Sequence, residues 1–272
     1  MNITAYSMIR WKSIRVKGEV LKTWLDGGRA LYVQAPLSGL ARSWRRLTRR
    51  LRGKKARGLQ PITLPRVSWR TLTRRRMVPL RETNKANGNV RSSELAILSL
   101  LAADCRADSL VFEIGTFDGR TTLNLAFSVP DGCRVLTLDL PADVESALPL
   151  DSGERHMVDK PVSGARIDRY RETHPEVTDR IEQHLGDSAR FDFSPWYGCC
   201  DLVFVDASHA APYVRSDSRQ AVKLLRPGGM LVWHDYGIWE GVTHTLEELD
   251  REEIPGIRAI AGTSLACWRK PD

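Results

Sequence analysis

The sequence predicts an α/β fold: a doubly wound, mostly parallel sheet that ends in a C-terminal antiparallel hairpin. Three observations carry this. From about residue 88, short apolar runs alternate with helix-like segments, and such alternation implies a parallel sheet covered by helices on both faces. The first run ends in a glycine-rich turn, Glu113-Ile114-Gly115-Thr116-Phe117-Asp118-Gly119, which opens a helix. The last two runs flank Ala261-Gly262-Thr263-Ser264, a spacing that suggests a closing hairpin.

The elements follow in order. Ser92-Ser93-Glu94 before the run Leu95 to Ala103 reads as a capped helix. Leu110 to Ile114 is the first strand and Arg120 to Phe127 the helix after it. Arg134 to Leu140 is the second strand, and Glu182 to Leu185 the third. Residues 141–180 between them are irregular and rich in charge, Pro and Gly; Arg166, Arg169, Tyr170 and Arg171 belong there either to a lid over the acceptor or to a solvated loop. Asp201 to Val205 is the fourth strand. Val214 to Leu225 is a helix stopped by Arg226-Pro227-Gly228-Gly229. Met230 to Trp233 is the fifth strand, Val242 to Glu252 a helix, and Ile257 to Ile260 with Leu265 to Trp268 the hairpin.

The chain has 272 residues, room for one good-sized domain with an extension. Hydrophobic residues at 42% and charged residues at 27% exclude a wholly disordered or fibrous protein. No run of 18 apolar residues predicts a transmembrane helix. The formal net charge of +8 joins two unlike parts. Residues 1–80 hold 20 Lys and Arg against 2 Asp and Glu, and the rest 21 against 31. This divides the chain into a basic arm, 1–80, of amphipathic helices or disorder, and a folded domain, 88–272. In the arm, Leu37, Leu40, Trp44, Leu47 and Leu51 share one helical face among arginines. Such a face suits an anionic membrane or an acidic partner. Phosphate attraction admits nucleic acid, but no recognition motif supports it. Met77 as a true start, or an organelle leader, would also explain the arginines. The five cysteines show no metal-site spacing and read as reduced buried thiols. No secretory apolar core is present. A cytoplasmic protein, peripheral to a membrane through its arm, is expected; homo-oligomerisation is left open.

Four features carry chemistry. The spacing Glu113-x-Gly115-x-x-x-Gly119 differs from the dinucleotide G-x-G-x-x-G. An acid at the strand end repels pyrophosphate and suits a cationic, amine-bearing ligand; a tight strand-to-helix connection would also use these glycines. Asp139 closes the second strand 24 residues after Gly115, where doubly wound folds place an acid on ribose hydroxyls. Gly186-Asp187-Ser188 ends the third strand and can reach an adenine ring, though turn chemistry explains it equally. Asp206 and His209 follow the fourth strand, and His234 and Asp235 follow the fifth. Two carboxylates and two imidazoles thus meet at the carboxyl edge, where open α/β sheets bind ligands. Histidine can take a proton near neutral pH, and oxygen ligands can hold a divalent cation.

These motifs, in this order, resemble the class I S-adenosylmethionine-dependent methyltransferases. Within them they are most similar to the small-molecule O-methyltransferase-like group, with the macrocin and catechol O-methyltransferases and the cephalosporin hydroxylase relatives. The resemblance spans about 110–236 and implies a Rossmann-like fold. It implies that Glu113, Gly115 and Thr116 face the amino-acid end of the cofactor and that Gly119 opens the first helix. Asp139 would hold the ribose, Asp187 and Ser188 the adenine. Asp206 would lie at the methyl-transfer centre, and His209 stands where catechol-type enzymes place a catalytic lysine. Asp206, His234 and Asp235 would be the ligands of a divalent cation such as magnesium. The chain departs from the pattern twice. Asp235-Tyr236 replaces Asp-Asn, and His234 stands for the first of two adjacent acids, which shifts metal preference away from magnesium.

The expected reaction is methyl transfer to a hydroxyl of a small molecule or glycan, with His209 as general base and Asp206 orienting it. A nicotinamide-dependent oxidoreductase and a non-catalytic protein acting through its arm are the alternatives. A nucleic-acid amino-methyltransferase is disfavoured because Asp206-Ala207-Ser208-His209 replaces the Asn/Asp-Pro-Pro-aromatic motif.

Overall fold

The computed structural model describes residues 11–16, 19–26, 29–34, 60–86, 88–151, 154 and 162–272. An eight-stranded sheet forms the centre. Its strands are β4 (Arg66–Val67), β6 (Leu110–Ile114), β7 (Arg134–Asp139), β8 (Ile181–Leu185), β9 (Cys200–Val205), β10 (Leu225–Trp233), β11 (Arg258–Ile260) and β12 (Ala266–Arg269), in the order β4-β11-β12-β10-β9-β6-β7-β8. The five strands from β10 to β8 pair in parallel. β12 pairs antiparallel with both β10 and β11. The predicted doubly wound sheet and closing hairpin are therefore present.

The expected elements appear within a few residues of their predicted bounds: α1 (Ser92–Ala102), α2 (Arg120–Ser128), α5 (Ala211–Leu224) and α6 (Glu240–Glu252). Strand alternation divides the core. Val111, Val135, Leu202, Phe204, Met230 and Val232 face one side, under α1 and α2. Phe112, Leu136, Leu138, Val203, Leu231 and Trp233 face the other, under α5 and α6. A period of two along each strand produces this two-sided burial. The chain leaves β6 toward β7 on one side and β9 lies on the other, so the strand order reverses at β6/β9. Ligands bind at such a switch point.

The N-terminal segment differs from expectation. Residues 60–80 belong to the folded domain. Leu64, Trp69, Val78 and Leu80 are buried, and β4 pairs with β11. The arginine count hid these apolar residues. Residues 60–80 thus pack with the folded domain, where the charge count had placed them in the arm. Upstream, β1 (Trp11–Val16), β2 (Glu19–Asp26) and β3 (Arg29–Gln34) form an antiparallel meander with β5 (Val78–Leu80). Strands thus stand where helices or disorder were expected; the Gly27-Gly28 pair between alternating runs is the overlooked hairpin cue. The basic helix read through Leu37 to Leu51 lies outside the described residues.

The residues proposed as a lid do something else. Arg166 lies in the first turn of α3 (Ala165–Arg171), which is followed by α4 (Pro175–Thr178). Its guanidinium is buried between Glu82, at 2.9 Å, and Asp118, at 2.8 Å, and donates to the Asn84 carbonyl. Tyr170 packs on Phe127 and His174. Neither these two nor Arg169 and Arg171 line the cavity described below. The ion cluster instead ties residues 82–89 to the glycine turn. Removing one member strands buried charge, so Arg166→Met should lose about 3–5 kcal/mol of stability, read by denaturant unfolding; a change below about 1 kcal/mol would show that solvent compensates the carboxylates.

Candidate active site

A cavity of about 610 Å³ opens at the carboxyl edge of the central strands, well sized for a small-molecule ligand. The turn after β6 makes its floor. Gly115 has φ +109°, and a Cβ there would lie 2.3 Å from the Asp206 carbonyl oxygen. Only glycine permits this contact. It is clamped by two hydrogen bonds: the Gly115 amide donates to Leu138 O and the Asp206 amide to Ile114 O, each at 2.8 Å. The ends of β6, β7 and β9 are thereby drawn together. Among the described residues, two that are not glycine take positive φ, Phe117 at 50° and Asp235 at 61°. Both line the cavity, and such backbone persists only where its surroundings enforce it.

Gly115, Asp139, Asp187, Ser188, Asp206, His209, His234 and Asp235 all line the cavity. Glu113, Thr116 and Gly119 do not. Alternation turns Glu113 beneath α2, where its Oε2 accepts hydrogen bonds from Thr122 and, at 3.1 Å, from Thr137. Burial pushes its carboxyl up to about 8 despite those bonds. Its side chain lies under α2, away from the cavity wall it was expected to join. Thr116 is turned inward too, 2.6 Å from the Thr137 hydroxyl. Gly119 caps α2 with φ +85°. Asp187 accepts from the Tyr213 hydroxyl and the Ala189 amide, each at 2.9 Å. Beneath that turn Asp217 is fully buried on α5, and burial raises its carboxyl to about 7.

The far end holds the histidines. His234 Nδ1 lies 3.0 Å from Asp206 and 3.3 Å from Asp235, and its Nε2 lies 3.3 Å from Glu94. His209 Nε2 lies 2.9 Å from Asp235, and its Nδ1 lies 2.7 Å from Glu154. The Trp239 ring stacks on His209, with centroids 4.3 Å apart. Burial would depress both imidazoles, but the surrounding carboxylates outweigh it. His209 is held at about 9 and His234 well above its usual range. Asp206 moves the other way: burial raises it against the pull of His234. Asp235 falls well below the usual range because the two imidazoles overcome burial. One atom each from Asp206, His209 and Asp235 lies within 4.8 Å of the others. His209 thus takes the place expected of His234 in the close trio.

Two wall residues were not singled out from the sequence. Glu94 was read as a capping residue, and it does accept from the Arg91 amide at 3.0 Å. It is also fully buried, accepting from the Ser264 amide and hydroxyl at 2.8 Å each. Glu154 comes from the irregular stretch, accepts from the Ser208 hydroxyl at 2.8 Å and binds the His209 amide. No local signal marks it.

Two outcomes test this geometry. Gly115→Ala should destabilise the fold by about 1–3 kcal/mol from backbone strain alone and distort the turn, seen as a lower Tm. For Glu113 the raised pKa means that the unfolded chain ionises first, so stability falls as pH rises from the unfolded value toward about 8. Glu113→Gln removes that fall. Its stability relative to the parent should climb by up to about 1.4 kcal/mol per pH unit between roughly pH 5 and 8, read by unfolding at several pH values; a pH-independent difference would place the ionised form in the folded state.

A family described as a methyltransferase domain matches residues 112–236. No curated protein matches the chain. Among solved structures, the O-methyltransferase TomG from Streptomyces achromogenes, in complex with SAM, is 22% identical, with 70% of this chain and 85% of that chain covered and a TM-score of 0.46. The O-methyltransferase from Bacillus cereus in complex with SAH is 20% identical, covering 68% and 84% with a TM-score of 0.47. Cofactor-bound Rv0187 from MTB is 24% identical, covering 67% and 81% with a TM-score of 0.47. The matched family, the strand order and the glycine turn at the switch point agree over residues 112–236, which resemble a methyltransferase domain.

Proposed function

We propose that the domain transfers the methyl group of S-adenosylmethionine to a hydroxyl oxygen of a small molecule or glycan. One observation carries this: a single cavity with two chemically different ends. At one end are the Gly115 turn, Asp139, and Asp187 with Ser188. These suit a ribose and an adenine, and the acid-rich wall favours a cationic ligand over a pyrophosphate. At the other end is the histidine–carboxylate cluster. When bound, the cofactor supplies a methyl group already activated on its sulfonium.

The protein's part is to align an oxygen and receive its proton. Asp206 stands between the two ends, against the Gly115 turn. Its raised pKa makes it a better proton acceptor than an exposed carboxylate. His209 was expected to be the base. Both its nitrogens face carboxylates and it keeps its proton to about pH 9, so we assign proton removal to the cluster that Asp206 opens rather than to His209 alone. Asp206, Asp235 and His209 would hold a divalent cation, which would make a neighbouring hydroxyl more acidic. The exposed Arg66, Arg70, Arg74, Arg75 and Arg76 keep the anionic-membrane reading as a proposal for where the enzyme sits.

Calorimetric titration with S-adenosylmethionine and with NAD tests the reading. S-adenosylmethionine should bind and NAD should not; binding of NAD alone would overturn it. Asp139→Ala should weaken S-adenosylmethionine roughly 10–100-fold through lost charged hydrogen bonds. Asp206→Asn should leave that affinity nearly unchanged while methyl transfer from labelled cofactor to a panel of phenols and sugars falls by about 10²–10⁴-fold.

A further inference from the structure

Asp187 sits in the turn after β8, in the cavity wall, and is 5% exposed. Its carboxylate is met by three neutral donors. The Tyr213 hydroxyl and the Ala189 amide donate to Oδ1, each at 2.9 Å, and the Ala147 amide donates to Oδ2 at 2.5 Å. A carboxylate has about four acceptor positions, so this set leaves roughly one, on Oδ2. Tyr213 comes from the first turn of α5 and also lines the cavity. Its oxygen accepts from the Leu148 amide at 3.3 Å, and burial pushes its phenol up to about 12, so it stays a donor. The Gly186 amide donates to the Asp139 carbonyl at 2.9 Å, which fixes the turn itself to the end of β7. The turn after β8, α5 and residues 147–148 thus converge on one carboxylate. Leu150, two residues further on, joins the cavity wall, as does Leu140.

We propose that Tyr213 is a positioning residue for the cofactor: with the 147–148 amides it locks the Asp187 carboxylate in the orientation that offers its remaining acceptor position to the exocyclic amine of an adenine. This chemistry suits an amine and rejects a carbonyl. An ionised carboxylate only accepts, so a base with an oxygen in place of that amine would face it unpaired. A freely rotating Asp187 would spread its acceptor positions over several directions. A hydroxyl donor on a side chain 3% exposed removes that freedom before the ligand arrives. A phenylalanine would keep the ring and lose the lock. The inference deepens the methyl-transfer reading and rests on it for the identity of the base, while the clasp stands on the geometry of the free protein.

The test uses the full chain and calorimetry with two probes, S-adenosylhomocysteine and its deaminated counterpart S-inosylhomocysteine. The parent should prefer the adenosyl form by at least roughly tenfold. Tyr213→Phe should weaken the adenosyl form about tenfold and the inosyl form less than about twofold, so that the preference collapses. Hydrogen exchange gives a second readout. The Ala147 and Leu148 amides should be protected in the free parent and exchange faster in Tyr213→Phe, with the amides of β6, β7 and β9 unchanged. Should the variant fold poorly, the parent still decides: fast exchange at 147–148, or equal affinity for the two probes, would overturn the inference. So would unchanged adenosyl affinity in Tyr213→Phe, or an equal loss for both probes, as a merely structural tyrosine would give. Adenosyl binding by the parent with any of these outcomes sinks this inference alone. A parent that binds neither probe sinks the methyl-transfer reading, and the adenine assignment with it.

Discussion

The approach of Gly115 to Asp206 is the constraint on which the site depends. The backbone of one strand-end turn lies so close to the next strand end that a single methyl group would not fit. Two 2.8 Å amide–carbonyl bonds hold that contact. It joins the ends of β6, β7 and β9 into one floor. That floor sets where the backbones of Asp139 and Asp206 lie. A parallel sheet splays its strand ends where its order reverses; here the glycine keeps the splay small enough for one ligand to span both sides.

Charge balance is the second organising element. Glu94, Glu154, Asp206 and Asp235 surround two imidazoles in a half-buried space. Unpaired, any one of these carboxylates would be costly there. Alternation of carboxylate and imidazole lets each group favour its neighbour's charged form, which is why both histidines are raised and Asp235 lowered. Asp206 is the exception: burial, aided by the Asp235 carboxylate beside it, outweighs the pull of His234 at 3.0 Å and of His209. The cluster is therefore uneven in basicity and concentrates it beside the Gly115 turn.

The segments outside residues 112–236 are part of the machinery. α1 supplies Glu94 to the cavity and its N-cap Arg91 joins it, as does Ser264 from the loop before β12. Arg166 fastens residues 82–84 to Asp118, next to the glycine turn. Tyr236 accepts the amides of Thr63 and Leu64, tying the start of the folded segment to the strand end that bears His234 and Asp235. The minimal matched domain would lack one wall of its own cavity.

Much of this was legible in the sequence because it is local. Apolar runs with a period of two, bounded by glycine and proline, announced β6 to β10 within a few residues, and the order of strand-end motifs announced their shared edge. Asp139, Asp187, Asp206, His209, His234 and Asp235 were found because strand ends of a doubly wound sheet share one address. The errors have physical causes. Glu113 was assigned by its position at a strand end, but pleat alternation turned its side chain under α2. Residues 60–80 were assigned by charge count, although Leu64, Trp69, Val78 and Leu80 decide where that segment lies. Glu154 sits in a stretch without periodicity, so nothing short-range could connect it to His209, 55 residues away. The sequence by itself determined the fold class, the floor of the cavity and the residue types at its rim, since these follow from local pattern and chain direction. Only the tertiary structure decided which side chains meet, which of two histidines joins the close trio, and which carboxylates are charged. Those outcomes depend on burial and on distances between groups far apart along the chain.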